Sequence, residues 1–282
     1  MRNSLSGLIA LAAAAVLVAA LPAIVSAATF SYYESGLFSQ SGAMVSNASG
    51  TDDPGPYASW DPVYVESHQE AQTPDQAINA YGGGSGEVML DDQHLHIHVE
   101  GSVGGMSFDP LGHMDSYGGA STVQPGATTG IYFRLAPEAG ENIGDPVRID
   151  FYWMGDLGAS TGTSAHIDGG FAGDTIAITL NDYPAPTSFD PAKAVWTRQG
   201  ESAENGAGDS WEDEGFFMAS IGDIVGIHMG AEANLYLDGE GYEIWAEGSQ
   251  DLDMEASSVP IPGAAWLLGS GLLGLVAVRR RK

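Results

Sequence analysis

The chain has 282 residues and sets 9 Lys and Arg against 37 Asp and Glu, a formal net charge of −28. Five of the nine bases sit at the termini (Arg2, Arg279, Arg280, Arg281 and Lys282), leaving Arg134, Arg148, Lys193 and Arg198 among the carboxylates; so acidic a body repels nucleic-acid phosphates and anionic headgroups. No cysteine is present, which excludes disulfides, thiol nucleophiles and thiolate metal sites, while 44% apolar residues are enough for a core.

In chain order, residues 1–27 read as a secretory signal peptide. Arg2 gives the positive start, Leu8 to Leu21 is an unbroken apolar run, and Pro22 ends any helix. Val25-Ser26-Ala27 places small residues where signal peptidase acts, so cleavage is expected after Ala27 or Ala28.

The body, 28–258, reads as strands separated by turn residues. Expected strands are Thr29–Glu34, Gly42–Ser46, Glu87–Leu90, His94–Glu100, Gly130–Ala136 and Val147–Met154. Further on come Thr175–Leu180, Ala194–Arg198, Gly215–Ser220, Ile224–Met229, Asn234–Leu237 and Tyr242–Ala246. Arg148-Ile149-Asp150-Phe151 alternates polar with apolar, as a half-buried strand requires. No βαβ rhythm is visible, so a single antiparallel two-sheet β-sandwich, jelly-roll-like, is expected. One short helix is expected from Thr73-Pro74-Asp75-Gln76, an N-cap Thr, a first-turn Pro and a capping-box Gln, continuing from Ala77 to Tyr81 and stopping at Gly82-Gly83-Gly84. Ser102–Thr129 and Gly200–Glu214 read as long loops.

The most pointed chemistry lies in His94-Leu95-His96-Ile97-His98-Val99. On a strand the three imidazoles share one face, and two of them are spaced to ligate one divalent metal, with His113, Asp115, His166 or Asp168 as further donors. The bland alternative, an apolar face in the core with the histidines in water, is the stronger one. Acidic clusters at Asp52-Asp53, at Asp209 with Glu212-Asp213-Glu214, at Asp238 with Glu240, and at Asp251, Asp253 and Glu255 suit Ca²⁺, but none has an EF-hand spacing. A solvated acidic surface explains them equally, and no cofactor beyond Ca²⁺ is suggested. For sugar stacking, Trp60, Trp196, Trp211 and Trp245 are candidates, Trp211 foremost because Asp209, Ser210 and Glu212 surround it in an expected loop; Trp153, in a strand, belongs to the core. The Gly-x-Ser-x-Gly elbow is missing, and so is the Glu-x-Asp-x-x-Glu strand motif of one glycosidase family, which points away from an enzyme.

The C-terminal 24 residues, 259–282, have three parts. Val259-Pro260-Ile261-Pro262-Gly263 is followed by an uncharged stretch, 264–278, long enough with its flank to cross a bilayer as a helix, and then by Arg279, Arg280, Arg281 and Lys282. This arrangement resembles the PEP-CTERM sorting signal, with Ile261 in place of the name-giving Glu as in its Val-Pro-x-Pro variants. The resemblance implies an exosortase substrate of a Gram-negative bacterium that makes extracellular polysaccharide. Such a protein crosses the inner membrane, is held transiently by its C-terminal helix, and reaches the cell surface or matrix after processing. Signal peptidase and exosortase are the implied maturation partners, polysaccharide the implied surroundings, and the helix the only membrane contact. The expected role is structural or adhesive in polysaccharide or biofilm material; a secreted carbohydrate- or metal-binding module comes second and a glycoside hydrolase third.

Overall fold

A computed structural model of the chain describes residues 28–34, 37–47, 50–52, 57–61, 63–72, 78–91, 93–107, 113–123, 131–138, 140–160, 171–182, 193–204, 208–238 and 242–259. The expected signal peptide, the sorting motif beyond Val259, the helix 264–278 and the basic tail lie outside these residues. Among the described residues no helix is long and apolar enough to cross a membrane.

Within that range the chain is all-β. It forms β1 (Thr29–Glu34), β2 (Leu37–Asn47), β3 (Gly50–Asp52), β4 (Tyr57–Asp61), β5 (Tyr64–Gln72), β6 (Ile78–Asp91), β7 (His94–Ser107) and β8 (His113–Val123). There follow β9 (Ile131–Ala136), β10 (Pro146–Ser160), β11 (Phe171–Leu180), β12 (Ala194–Glu204), β13 (Gly208–Ser220), β14 (Ile224–Asp238) and β15 (Tyr242–Ser258). Two antiparallel sheets result. A six-stranded sheet runs β13-β10-β15-β7-β6-β5, and a nine-stranded sheet runs β1-β9-β14-β8-β2-β3, with β11 and β12 continuing from β14 and β4 pairing with β2.

Period-two alternation decides which face each sheet buries. In β10, Val147, Ile149, Phe151 and Trp153 are buried while Arg148, Tyr152 and Met154 are exposed. Those buried residues join Ile131, Phe133 and Leu135 of β9, Ile176 and Ile178 of β11, and Val225 and Ile227 of β14 in one cluster, so the two sheets share a core. Each fully buried large side chain there contributes about 1.5–3 kcal/mol. Trp153 is among them, as expected, at 1% exposure.

Among the described residues, polar side chains cross the interior at Gln250 and at Ser39. Gln250 of β15, fully buried, accepts a hydrogen bond from Trp153 Nε1 at 3.0 Å. Its amide donates across the core to the carbonyls of Thr175 and Gly230, at 3.2 and 2.6 Å, which are cross-strand partners in the other sheet. Ser39 of β2 similarly donates to the Gly84 carbonyl at 2.8 Å and lies 2.7 Å from the Ser67 hydroxyl. Both contacts satisfy groups whose burial would otherwise be unfavourable, and both fix how the sheets sit on each other.

Several expectations are corrected. Residues 78–81, read as the end of a helix, open β6; the rest of that segment, 73–77, lies outside the described residues. The glycines taken as a helix stop, Gly82, Gly83 and Gly84, are strand residues instead: Gly82 and Gly84 point inward, as does Gly86 further along, which lies against Val65 and Leu37. The supposed loops are largely strand as well, with Ser102–Ser107 finishing β7, His113–Val123 forming β8, and Gly200–Glu214 divided between β12 and β13 around 205–207. The two segments expected at 224–229 and 234–237 are one strand, β14.

Candidate functional site

The outward face of the six-stranded sheet collects most of the residues that carry chemistry. On β7, Leu95, Ile97 and Val99 are buried, which turns His94, His96 and His98 outward as the alternation requires. Register then sets Glu255, Asp253 and Asp251 of β15 directly beside them. His96 Nδ1 lies 2.8 Å from Asp253 Oδ1, and His98 Nδ1 lies 2.9 Å from Asp251 Oδ1, whose other neighbour is His96 Nε2 at 3.6 Å. The histidines are thus ranged along a carboxylate ladder. No group of three or more His, Asp or Glu side chains is arranged to hold a metal among the described residues. Of the further donors considered, His113 and Asp115 belong to β8 in the other sheet, while His166 and Asp168 lie outside the described residues.

Beside the ladder, towards β13, an open groove of about 700 Å³ crosses the sheet. Phe216 and Tyr152 give it an aromatic wall, with 56% and 37% of their surfaces exposed. Arg148 sits with its guanidinium 4.0 Å from the Phe216 ring centre and makes a bidentate pair with Asp150. That hydrogen bond holds the Arg148 pKa above its usual value. Tyr152 donates its hydroxyl to Glu212 Oε2 at 2.7 Å, and this bond, with the carboxylates nearby, raises the phenol pKa as well. Glu214, Asp253 and Glu255 complete the rim.

The far end of the same face is built on glycine. Tyr81 of β6 leans across Gly104, its partner on β7, so that a methyl group at 104 would run into the ring. Trp245 of β15 leans across Gly158 of β10 in the same way. Both rings keep more than a third of their surface exposed, at 39% and 37%. Ser102 and Gly83, a cross-strand pair, continue the low floor towards His68, whose Nε2 is 2.9 Å from Glu70 Oε1. Glu247 stands beside Gly158. Removing side chains from the floor lets planar rings lie flat on the backbone, the use of strand glycine that close approach demands.

Trp211, the foremost sugar-stacking candidate, is placed differently from its expected loop. It is a β13 residue, half-buried, with its ring over Gly155 and 5.8 Å from the Trp153 ring. Trp196 also packs inward, 4.9 Å from Phe151 and 5.6 Å from Trp153. Trp60 belongs to β4, opposite Phe38 of β2. Of Trp196, Trp211 and Trp245, it is Trp245 that is among the exposed large side chains. Tyr81, Tyr152 and Phe216 went unnoticed in the sequence, because an outward aromatic on a strand is recognisable only once the inward face is known.

The chain matches no family model, and no curated protein is similar to it.

Proposed function

We propose that the chain is an exported, exosortase-processed protein of a Gram-negative cell surface or extracellular matrix, with an adhesive role in polysaccharide material and no catalysis of its own. On this reading the body is a jelly-roll-like sandwich carried across the inner membrane, held briefly by the C-terminal helix and released or attached after processing. The exposed aromatics on the outward face of the six-stranded sheet are the observation that carries the adhesive part. Five large rings, Tyr64, Tyr81, Trp245, Tyr152 and Phe216, stand on one face among carboxylates and hydroxyls, and stacking with hydrogen bonding is how proteins hold sugars. Two further points support the sorting part. Ala28, immediately before β1, is fully buried against the core, which favours cleavage after Ala27 over Ala28. Strand β15 ends at Ser258, directly before the Pro-containing motif, so the motif follows the folded body without a spacer.

The test has two arms in a host that expresses a matching exosortase. Intact mass of the exported protein is expected to show loss of residues 1–27 and of the tail near Pro262; recovery outside the cell with Arg279–Lys282 attached would sink the sorting reading. Co-sedimentation with the host's extracellular polysaccharide reads the adhesive part, and a protein left wholly in the supernatant would refute it.

A further inference from the structure

The glycine-floored end of the outward face has the geometry of a two-ring platform, and its charge says which polymer would settle there. Tyr81 reaches from β6 over β7, and Trp245 from β15 over β10, so the two rings are offset by about two strand spacings, roughly 10 Å. That is the span of two linked pyranose units in an extended chain, so alternate sugars of one strand can stack on the two rings. Between them runs β15, whose outward residue there is Glu247, set across from Ser102 of β7 on one side and Gly158 of β10 on the other, while Gly83 and Ser102 keep the floor low beside Tyr81.

Charge then selects among glycans. Arg148 is the sole Lys or Arg in the six strands of this sheet, and Asp150 already holds it in a bidentate pair. Glu70 and Glu247 flank the platform, and Glu100 and Asp156 stand one step along it. A uronate or sulfated polymer would be repelled, and a neutral one would gain nothing from these charges. A sugar bearing a free amine gains twice, since its ammonium is attracted both to carboxylates and to the face of an aromatic ring.

We infer that this end of the sheet binds an extended hexosamine polymer with free amino groups, its alternate rings stacked on Tyr81 and Trp245 and its ammonium groups paired with Glu247 and Glu70. The inference rests on the polysaccharide-adhesion reading and names the chemistry of the polymer.

The experiment measures binding of the exported, processed protein to immobilised glucosamine polymer with free amines, to its fully N-acetylated form, to a neutral glucan and to a polyuronate with and without Ca²⁺. Polylysine serves as a polycation without sugar rings. Expected are binding to the free-amine polymer over the acetylated one, weakening with NaCl, and losses of about tenfold in Trp245→Ala and Tyr81→Ala at unchanged thermal midpoint. Glu247→Gln, which keeps the shape of the side chain, should weaken binding to the free-amine polymer alone. Preference for the acetylated or neutral polymer, or for polyuronate with Ca²⁺, overturns the inference and leaves the adhesion reading standing. Equal retention on polylysine, with both aromatic variants binding normally, also overturns it, because only non-specific charge attraction then remains. Silence on every glycan removes both.

Discussion

Asp174 is the residue whose surroundings most alter its chemistry. It lies on the inward side of β11 at 3% exposure, and neither carboxyl oxygen has a hydrogen-bond partner. Burial pushes its pKa up to about 8, the Asp156 charge adds to this, and the Gln250 amide opposes it only weakly because the Thr175 and Gly230 carbonyls already hold that amide. The unfolded chain ionises this group near pH 4, whereas the folded chain keeps it protonated. Its contribution to stability is therefore full below about pH 4, falls as pH rises, and is lost above about pH 8, a swing on the order of 6 kcal/mol at most. Asp174→Asn removes the titration, so the variant should melt higher than the parent at pH 7–8 and the two should converge near pH 4. Thermal midpoints across that range test it, and parallel curves would show that Asp174 ionises in the fold. Gln250 makes the complementary case. Gln250→Leu strands the Trp153 indole N–H and two carbonyls at once, and should lower stability by at least about 2 kcal/mol in denaturant titration. Neither role was legible in the sequence, where Gly-Asp-Thr and Ser-Gln-Asp look like ordinary surface chemistry.

At the scale of elements, legibility followed the apolar signal. Strands β1, β9, β10 and β11 were recognisable because Val, Ile and Phe alternate there with polar residues. Strand β5 was missed because its inward residues are Val65, Ser67, Gln69 and Ala71, and two of these carry polar atoms. The end of the helix expected over 73–81 gives way to strand for a related reason: local capping chemistry argued for helix, but from Ile78 onward β6 pairs with β7, and from Asn79 with β5 as well, and tertiary pairing outweighs a short local preference. What the sequence does not show of the strand glycines is their use: five of them lie beneath aromatic rings, Gly104 under Tyr81, Gly155 under Trp211, Gly158 under Trp245, Gly215 under Phe151 and Gly226 under Tyr132. Gly226 tests this device best, since both Thr179 Oγ1 and the buried Tyr132 ring stand where its Cβ would go. Gly226→Ala should cost about 1–3 kcal/mol through overpacking, read as a lower denaturant midpoint. An unchanged midpoint would mean that the sheet opens there without strain. The histidine ladder is an element-scale feature too. With His96 and His98 already paired to Asp253 and Asp251, Zn²⁺ should bind weakly and His96→Ala should fold normally; a tight stoichiometric calorimetric isotherm abolished by that substitution would overturn the ladder as a mere surface pairing.

For the whole molecule, the sequence disclosed the charge but not the site. The platform joins residues 81, 104, 158 and 245, and only the register of β6, β7, β15 and β10 brings them together. Charge, by contrast, needs no fold to be counted, and the fold only decides how closely it is packed. Carboxylates gather on the outward face of the six-stranded sheet, where Arg148 is the one strong base, and a molecule of net charge −28 repels itself in the folded state more than in the expanded chain. Salt screens this over a Debye length of about 10 Å at 0.1 M, comparable to two strand spacings. The thermal midpoint should therefore rise between low and moderate NaCl, with most of the gain complete once the screening length is shorter than the separation of neighbouring carboxylate rows. Divalent cations add local pairing to screening, and Asp251, Asp253 and Glu255 on one strand face give Ca²⁺ a place to linger without a closed site. Calcium is accordingly expected to raise the midpoint modestly above NaCl at matched ionic strength, in a gradual and unsaturated way. A midpoint flat in NaCl would show that the acidic face is no burden on stability. A sharp, saturating response to micromolar Ca²⁺ would instead demand a dedicated calcium site, with carboxylates converging on one ion rather than ranged along a strand.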